Sequence, residues 1–317
     1  MKTLLVTRRM TDAAEAALRA RFDVQFRDDP TPLGVDQARD ALASYDAIIP
    51  TLGDGFTAAA FDATPRCGLL ANFGAGFNHI DLAAARAAGV SVSNTPDVVT
   101  DATADIAMTL LLMVARRASE GEHMLRAGDW PGWQPTQLLG RHVSGRTVGI
   151  VGMGRIGRAI ARRCHHGFGM RVVFFNRSAL SSLDVPARQM DRLTDLLELA
   201  DFTILAVPGG AGTRHMIGAP ELAAMGARSC LINVARGDVV DEAALIAALQ
   251  DGVIAGAGLD VYEHEPAVPA ALRGLWNATL LPHLGTATEQ TRTAMAMRAL
   301  DNLLDWQAGG VPRDLVN

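Results

Sequence analysis

Three short runs of the chain hold side chains that could stabilise charge and move a proton at one carbonyl. They are Asn233-Val-Ala-Arg236-Gly-Asp238, Asp260-Val-Tyr-Glu263-His264-Glu265-Pro266 and Pro282-His283-Leu-Gly285-Thr286. Each follows a short apolar run of strand type, so the three meet only if those strands end at one sheet edge. Hydride transfer to a carbonyl needs a proton donor, a cation for the developing alkoxide and a group that fixes the donor's protonation. Imidazole, guanidinium and carboxylate supply these functions. A fourth run carries Gly152-x-Gly154-x-x-Gly157 between an apolar strand pattern, Val148 to Val151, and a helical one marked by Ile156, Ile160 and Ala161. The first glycine permits a tight turn, the second lets backbone approach a diphosphate, and the third lets helix pack close on strand. The diphosphate would rest on the helix N-terminus, where free N–H groups and the dipole favour an anion. Arg171 to Phe175 supplies the second strand of a dinucleotide-binding unit.

The end of that second strand bears on which dinucleotide binds. NAD sites usually place Asp or Glu there, on the ribose 2′-hydroxyl. This chain has Asn176-Arg177-Ser178. No carboxylate is present to repel a 2′-phosphate, Arg177 can pair with one and Ser178 can donate a hydrogen bond. NADPH is the expected cofactor, with NADH as the alternative.

The elements that must position these groups alternate along the whole chain. In the first part, strands are expected at Leu4 to Val6, Val24 to Phe26, Ala47 to Pro50 and Gly68 to Asn72, with helices at Asp12 to Phe22 and Asp36 to Ala43. The last strand runs into Asn72-Phe-Gly74-Ala75-Gly76-Phe-Asn-His79-Ile-Asp81, whose glycines allow successive N–H groups to point at one anion. His79 and His264 read as structural or solvated histidines. Asn94-Thr-Pro-Asp97 stops this part, and Val98 to Arg117 reads as one long helix with Ile106, Leu110, Met113 and Val114 on its apolar face. Gly121 to Gly145 reads as polar and turn-rich, with Trp130 and Trp133 either buried anchors within the chain or exposed contacts on an arm that meets a partner. Beyond the glycine fingerprint, helices are expected at Asp191 to Leu199 and Glu242 to Gln250. Strands are expected at Phe202 to Val207, Cys230 to Val234, Ile254 to Val261 and Leu280 to His283. Thr288 to Trp306 is a C-terminal helix. The fold class is α/β, with doubly wound parallel sheets and ligands at the carboxyl ends of strands.

Composition narrows the function further. The chain has 317 residues, 49% hydrophobic and 20% charged, enough for two domains with separate cores. A net charge of −5 gives no basic field for nucleic acid or an anionic membrane. The longest apolar stretch, Ile106 to Ala115, is too short to span a bilayer, and the N-terminus has no signal-peptide pattern. Cys67, Cys164 and Cys230 are widely spaced, which suits a reducing cytosol. No metal-ligand spacing occurs among the eight histidines, so no metal is expected.

With those motifs in order, the chain resembles the D-isomer-specific 2-hydroxyacid dehydrogenases over essentially its full length, and among them the glyoxylate/hydroxypyruvate reductases. The resemblance rests on the Asn72-to-Asp81 loop, Asn94-Thr-Pro, the glycine fingerprint, Asn233 to Asp241, Leu259 to Pro266 and Pro282 to Gly285. It implies a flavodoxin-like substrate domain of residues 1–97 and 288–317, and a Rossmann dinucleotide-binding domain of residues 98–287. By the same likeness Arg236 binds the substrate carboxylate and polarises the keto oxygen, His283 is the acid/base and Glu265 holds its imidazole. Glu265, directly before Pro266, fits that position better than Glu263. Backbone N–H groups at Ala75 and Gly76 would hold the other carboxylate oxygen. The cofactor would contact Gly152, Gly154, Arg155, Ile156 and Gly157 in the fingerprint, and Asn176, Arg177 and Ser178 beyond it. Further contacts would come from Thr103, from Val207 and Pro208, from Val234, Ala235 and Arg236, and from His283 and Gly285. Asp260 would face the nicotinamide carboxamide.

The resemblance also implies a homodimer formed through the Trp130/Trp133 region, with Trp133 lining the partner's active site. Many relatives carry His near Ala206, where this chain reads Leu205-Ala-Val-Pro208, so the cofactor contacts of that strand tip differ. Two other readings remain open. One is an NAD-dependent D-2-hydroxyacid dehydrogenase of different specificity. The other is a dinucleotide-sensing interaction protein, because some corepressors share this fold.

Overall fold

Consecutive apolar residues on the short strands face opposite sides of a sheet, and this period of two builds one core on each side. The computed structural model describes residues 1–317, and two units emerge from it: Met1–Val99 with Thr286–Asn317, and Thr100–Gly285. The first unit holds β1 (Thr3–Val6), α1 (Asp12–Arg19), β2 (Asp23–Phe26), α2 (Val35–Ser44), β3 (Ala47–Ile49), β4 (Leu69–Ala71), α3 (Leu82–Ala87) and β5 (Ser91–Ser93). Its five strands are all parallel in the order β2-β1-β3-β4-β5. Leu5, Ile48 and Leu70 pack with Leu42 of α2 on one side. Leu4, Val6, Ile49 and Leu69 pack on the other with Ala299 and Leu303 of the C-terminal helix, Glu289–Gln307. Beyond β4, the Asn72 side chain donates to the carbonyls of Gly74 (2.9 Å) and Gly76 (3.1 Å), and Asn94 donates to that of Ala75 (2.8 Å). Three successive carbonyls of the loop are thereby satisfied by asparagine side chains.

The second unit holds α4 (Thr100–Ala115), α5 (Ala118–Ala127), β6 (Thr147–Val151), α6 (Arg155–Arg162), β7 (Arg171–Phe175), β8 (Ala187–Gln189), α7 (Leu193–Leu199), β9 (Phe202–Leu205), α8 (Ala219–Met225), β10 (Cys230–Asn233), α9 (Glu242–Gln250), β11 (Gly256–Leu259), α10 (Ala270–Arg273) and β12 (Ala278–Leu280). The sheet is parallel throughout, in the order β12-β11-β10-β9-β6-β7-β8. Val148, Ile150, Phe202, Ile204 and Ile232 enter one core, whereas Val151, Leu205 and Leu231 enter the other. The order reverses direction between β6 and β9, the switch point at which doubly wound sheets open a ligand crevice. No helix is long and apolar enough to cross a membrane.

Three expectations from the sequence need correction. The long helix ends at Ala115, because Arg117 takes a left-handed conformation (φ 53°), and a new helix, α5 (Ala118–Ala127), runs into the stretch read as turns from Gly121. The expected face is buried only in part: Leu110 is fully buried and Ile106 and Val114 pack against the core, but burial extends round the helix to Thr103, Ala104, Ala107, Met108, Leu111 and Ala115. Small residues at 104 and 107 let it lie close to α6, β10 and β11. The last strand stops at Leu280, and His283 follows it in a turn with φ 55°.

Candidate active site

The groups described here lie in the second unit, at the carboxyl ends of β6, β7, β10, β11 and β12. At β6 the glycine loop turns into α6. A methyl group on Gly157 would lie 2.1 Å from the Gly152 carbonyl oxygen, so helix and strand touch directly there. At Gly154, the residue preceding α6, nothing lies within 4 Å of the same added atom. That contrast leaves open space in front of a helix N-terminus that no side chain caps, a cradle that suits a diphosphate. The Met153 N–H donates to Asn176 Oδ1 (3.2 Å), which ties the loop to the end of β7. Arg177 and Ser178 beyond it are exposed, Arg155 opens α6, and Ile156 is half-buried. The chain's own residues therefore fit a dinucleotide. After β9, Val207 is half-buried and Pro208 is exposed, its carbonyl accepting from the Thr213 hydroxyl (2.8 Å).

β10 delivers Arg236 through a turn locked by Asn233. Asn233 Oδ1 accepts from the Ala235 N–H (3.0 Å) and its Nδ2 donates to the Arg236 carbonyl (2.9 Å), with Val234 and Ala235 buried. The guanidinium donates from Nη1 to the Ala235 carbonyl (2.6 Å), while its Nε–H is buried with no protein acceptor. Burial lowers the Arg236 pKa, and the charges of Glu265 and Asp238 oppose that shift. A guanidinium stays protonated under such a perturbation. The site therefore holds a fixed cation with an unsatisfied donor.

β11 and β12 deliver the acid–base pair. His283 Nδ1 lies 2.8 Å from Glu265 Oε2. Glu265 Oε1 accepts from the Tyr262 N–H (3.0 Å), and the Tyr262 hydroxyl donates to the Leu281 carbonyl (2.9 Å). Tyr262 thus joins the glutamate loop to the histidine turn. Burial pushes the Glu265 carboxyl up, but the hydrogen bond and charge of His283, the Tyr262 N–H and Arg236 together bring it below its ordinary value. An ionised carboxylate only accepts, so Nδ1 of His283 carries the proton of this bond and Nε2 is left for another partner.

Asp260 builds the histidine turn. It is buried, its Oδ1 accepts from the Leu284 N–H (2.7 Å), and its Oδ2 accepts from the Gly285 N–H (2.8 Å). Its backbone carbonyl receives the His283 N–H (3.0 Å), and Thr103 of α4 donates to the Gly285 carbonyl (3.2 Å). Burial raises the Asp260 carboxyl, against the pull of the two N–H donors. Glu263 is directed elsewhere: its Oε1 receives Arg214 Nη2 (2.9 Å) and His215 Nε2 (2.8 Å).

Of the residues singled out in the sequence, Arg236, Asp260, Glu265, His283, Gly285 and Thr103 meet in one bonded network. Ala75 and Gly76 belong to the first unit, in the loop shaped by Asn72. Trp133 is 79% exposed, on the irregular segment after α5. Arg214, His215 and Tyr262 support the network without having been singled out. Arg214 and His215 meet Glu263 from far along the chain, and the Tyr262 hydroxyl reaches Leu281, so no local pattern marks them.

The nucleotide-binding half of this architecture matches a family model. Residues 108–285 fit the D-isomer specific 2-hydroxyacid dehydrogenase, NAD binding domain. The chain is 42% identical to a glyoxylate reductase from Thermococcus kodakarensis, with 99% of this chain and 96% of that protein covered. It is 38% identical to a glycerate dehydrogenase from Hyphomicrobium methylovorum, covering 98% and 97%. Among solved structures it resembles an NADPH-dependent glyoxylate/hydroxypyruvate reductase from Sinorhizobium meliloti in complex with NADP and malonate. That likeness has a TM-score of 0.86 at 38% identity, covering 99% of this chain and 96% of that one. The chain belongs to the D-isomer-specific 2-hydroxyacid dehydrogenase family. It is an NAD(P)-dependent oxidoreductase of that class, acting on a small 2-oxo acid.

Proposed function

We propose that the protein reduces glyoxylate or hydroxypyruvate and prefers NADPH to NADH. The observation that carries this reading is the 2.8 Å pair of His283 and Glu265, together with Arg236 and its unsatisfied, buried Nε–H. The nicotinamide supplies the hydride when bound. Arg236 holds the substrate carboxylate and draws electron density toward the keto oxygen. His283, protonated on both ring nitrogens, donates its Nε2 proton to that oxygen as negative charge develops. Glu265 retains the Nδ1 proton and stabilises the imidazolium, which fixes ring orientation before each turnover. Asp260 holds the backbone of the histidine turn, and its remaining lone pairs can accept from the nicotinamide carboxamide.

The Ala75 and Gly76 N–H groups serve as the second anchor of the carboxylate. This reading rests on the likeness of the Asn72-to-Asp81 loop to the family's, and on the Asn72 and Asn94 side chains, which occupy the carbonyls of Gly74, Ala75 and Gly76. Gly152, Gly154 and Gly157 take the diphosphate, and Arg177 with Ser178 takes the 2′-phosphate. We assign the protein to the cytoplasm on its three buried, unpaired cysteines. The exposed Trp130 and Trp133 are the contacts of a homodimer, in which Trp133 reaches the partner's site.

A panel of 2-oxo acids assayed with NADPH and NADH in parallel tests this function. The expected result is the highest kcat/KM for glyoxylate or hydroxypyruvate with NADPH. Faster turnover of a larger 2-oxo acid with NADH would instead identify a dehydrogenase of other specificity. Tight dinucleotide binding without turnover would favour the interaction-protein reading.

A further inference from the structure

Gln189 is the last residue of β8, opposite Phe174 of β7, and its side chain spends every polar group on the segment after β7. Its Oε1 accepts from the Leu180 N–H (3.1 Å), and its Nε2 donates to the carbonyls of Asn176 (3.3 Å) and Ser178 (3.1 Å). Within the segment, Asn176 Nδ2 donates to the Ser178 carbonyl (3.0 Å) and to Ser178 Oγ (3.1 Å). The five residues from Asn176 to Leu180 are therefore held by Gln189 at three points and by bonds of their own. Within them the exposed Arg177 projects from a fixed backbone. The Ser178 hydroxyl, already an acceptor toward Asn176, retains its O–H as a donor.

We infer that Gln189 is a positioning residue for cofactor discrimination, because it fixes the Arg177–Ser178 segment that receives the 2′-phosphate. This rests on the NADPH preference proposed above and adds a residue that never touches the cofactor. A guanidinium on a mobile loop gives up part of its pairing energy to ordering, whereas a templated loop does not. The effect is confined to ligands that carry a 2′-phosphate, since the diphosphate cradle lies on the glycine loop and α6.

The test compares dissociation constants of adenosine 2′,5′-diphosphate and 5′-AMP by titration calorimetry. The proteins are wild type, Arg177→Ala, Gln189→Leu and Gln189→Glu. Glutamate keeps the acceptor for Leu180 but loses both donors and faces two carbonyls. Wild type is expected to bind the 2′,5′-diphosphate more tightly. Both Gln189 variants should weaken that ligand by about tenfold while leaving 5′-AMP within about twofold. Should wild type bind the two ligands equally, the NADPH reading falls, and the role of Gln189 with it. If Arg177→Ala abolishes the preference while both Gln189 variants keep it, the NADPH reading stands and the inference about Gln189 is wrong. An equal loss for both ligands in the Gln189 variants would mark a general structural role and likewise overturn it.

Discussion

Replacing Gly237 with alanine would drive apart the two loops that carry Arg236 and Glu265. An added Cβ would lie 1.8 Å from the Tyr262 carbonyl carbon, 1.9 Å from its oxygen and 2.3 Å from the Glu263 nitrogen. All three are backbone atoms, so no side-chain rotation relieves the clash. Restoring ordinary contact at 3.4 Å requires a retreat of about 1.6 Å. Tyr262 does not retreat alone. Its N–H is bonded to Glu265, its hydroxyl to the Leu281 carbonyl, and Glu263 is tied to Arg214 and His215. The displacement therefore moves the carboxylate that orients His283. A misplacement of about 1 Å at reacting groups can cost about 10² in rate, and overpacking costs about 1–3 kcal/mol of stability. We expect Gly237→Ala to lower kcat about 100-fold at saturating substrate and cofactor, with a reduced Tm. Cofactor Kd should stay within a few-fold, because the glycine loop of β6 is not involved. Steady-state kinetics, fluorescence titration and thermal melting read these three quantities. A folded variant with kcat within about threefold of wild type would refute the claim that contact between these loops sets the catalytic geometry.

Three further outcomes follow from the same network. Glu265→Gln replaces the carboxylate that accepts from His283 Nδ1 with an amide that holds the ring less firmly. kcat should fall by about tenfold or more while cofactor Kd changes little, and an unchanged kcat would contradict the pairing. Asp260→Asn keeps the shape but sets an NH2 group against either the Leu284 or the Gly285 N–H. It should cost about 1–3 kcal/mol in chemical denaturation and lower kcat; unchanged stability would show that those bonds do not hold the turn. Sedimentation at micromolar concentration should give a dimer of the 33.5 kDa chain, and Trp133→Ala should impair substrate turnover in it. A fully active monomer would remove the proposed role of the tryptophan arm.

What the sequence displays are the features that are local in the chain. The glycine fingerprint sits between a strand and a helix in consecutive residues, and strands such as β6, β9 and β10 are short apolar runs bounded by turn residues or charge. His283 and Glu265 lie in compact motifs that follow strand-type runs, and the likeness of those motifs to the family's marks them as acid/base and its holder. What was not legible depends on partners far along the chain. The break between α4 and α5 is set by the left-handed Arg117 inside a continuous helical pattern, and the Arg117–Glu120 pair forms only after the turn exists. The wide burial of α4 depends on α6, β10 and β11 packing close around it, with Leu110 and Val114 seated against Gly256 and Gly258 of β11. Tyr262, His215 and Gln189 act through hydrogen bonds to segments well separated in the chain, so neither their type nor their spacing announces a role. β12 ends early because its pairing with β11 runs out at Leu280, opposite Leu259, and the chain then turns on Asp260.

The central claim is that His283 gives the proton to the reduced oxygen. It is tested most directly by the kcat of His283→Ala for glyoxylate reduction, measured beside His264→Ala and His79→Ala with cofactor binding as a control. The account predicts that His283→Ala lowers kcat by about 10² or more while cofactor Kd changes little, and that the other two variants retain most activity. Near-normal turnover in His283→Ala, with activity lost in His264→Ala or His79→Ala, would contradict it.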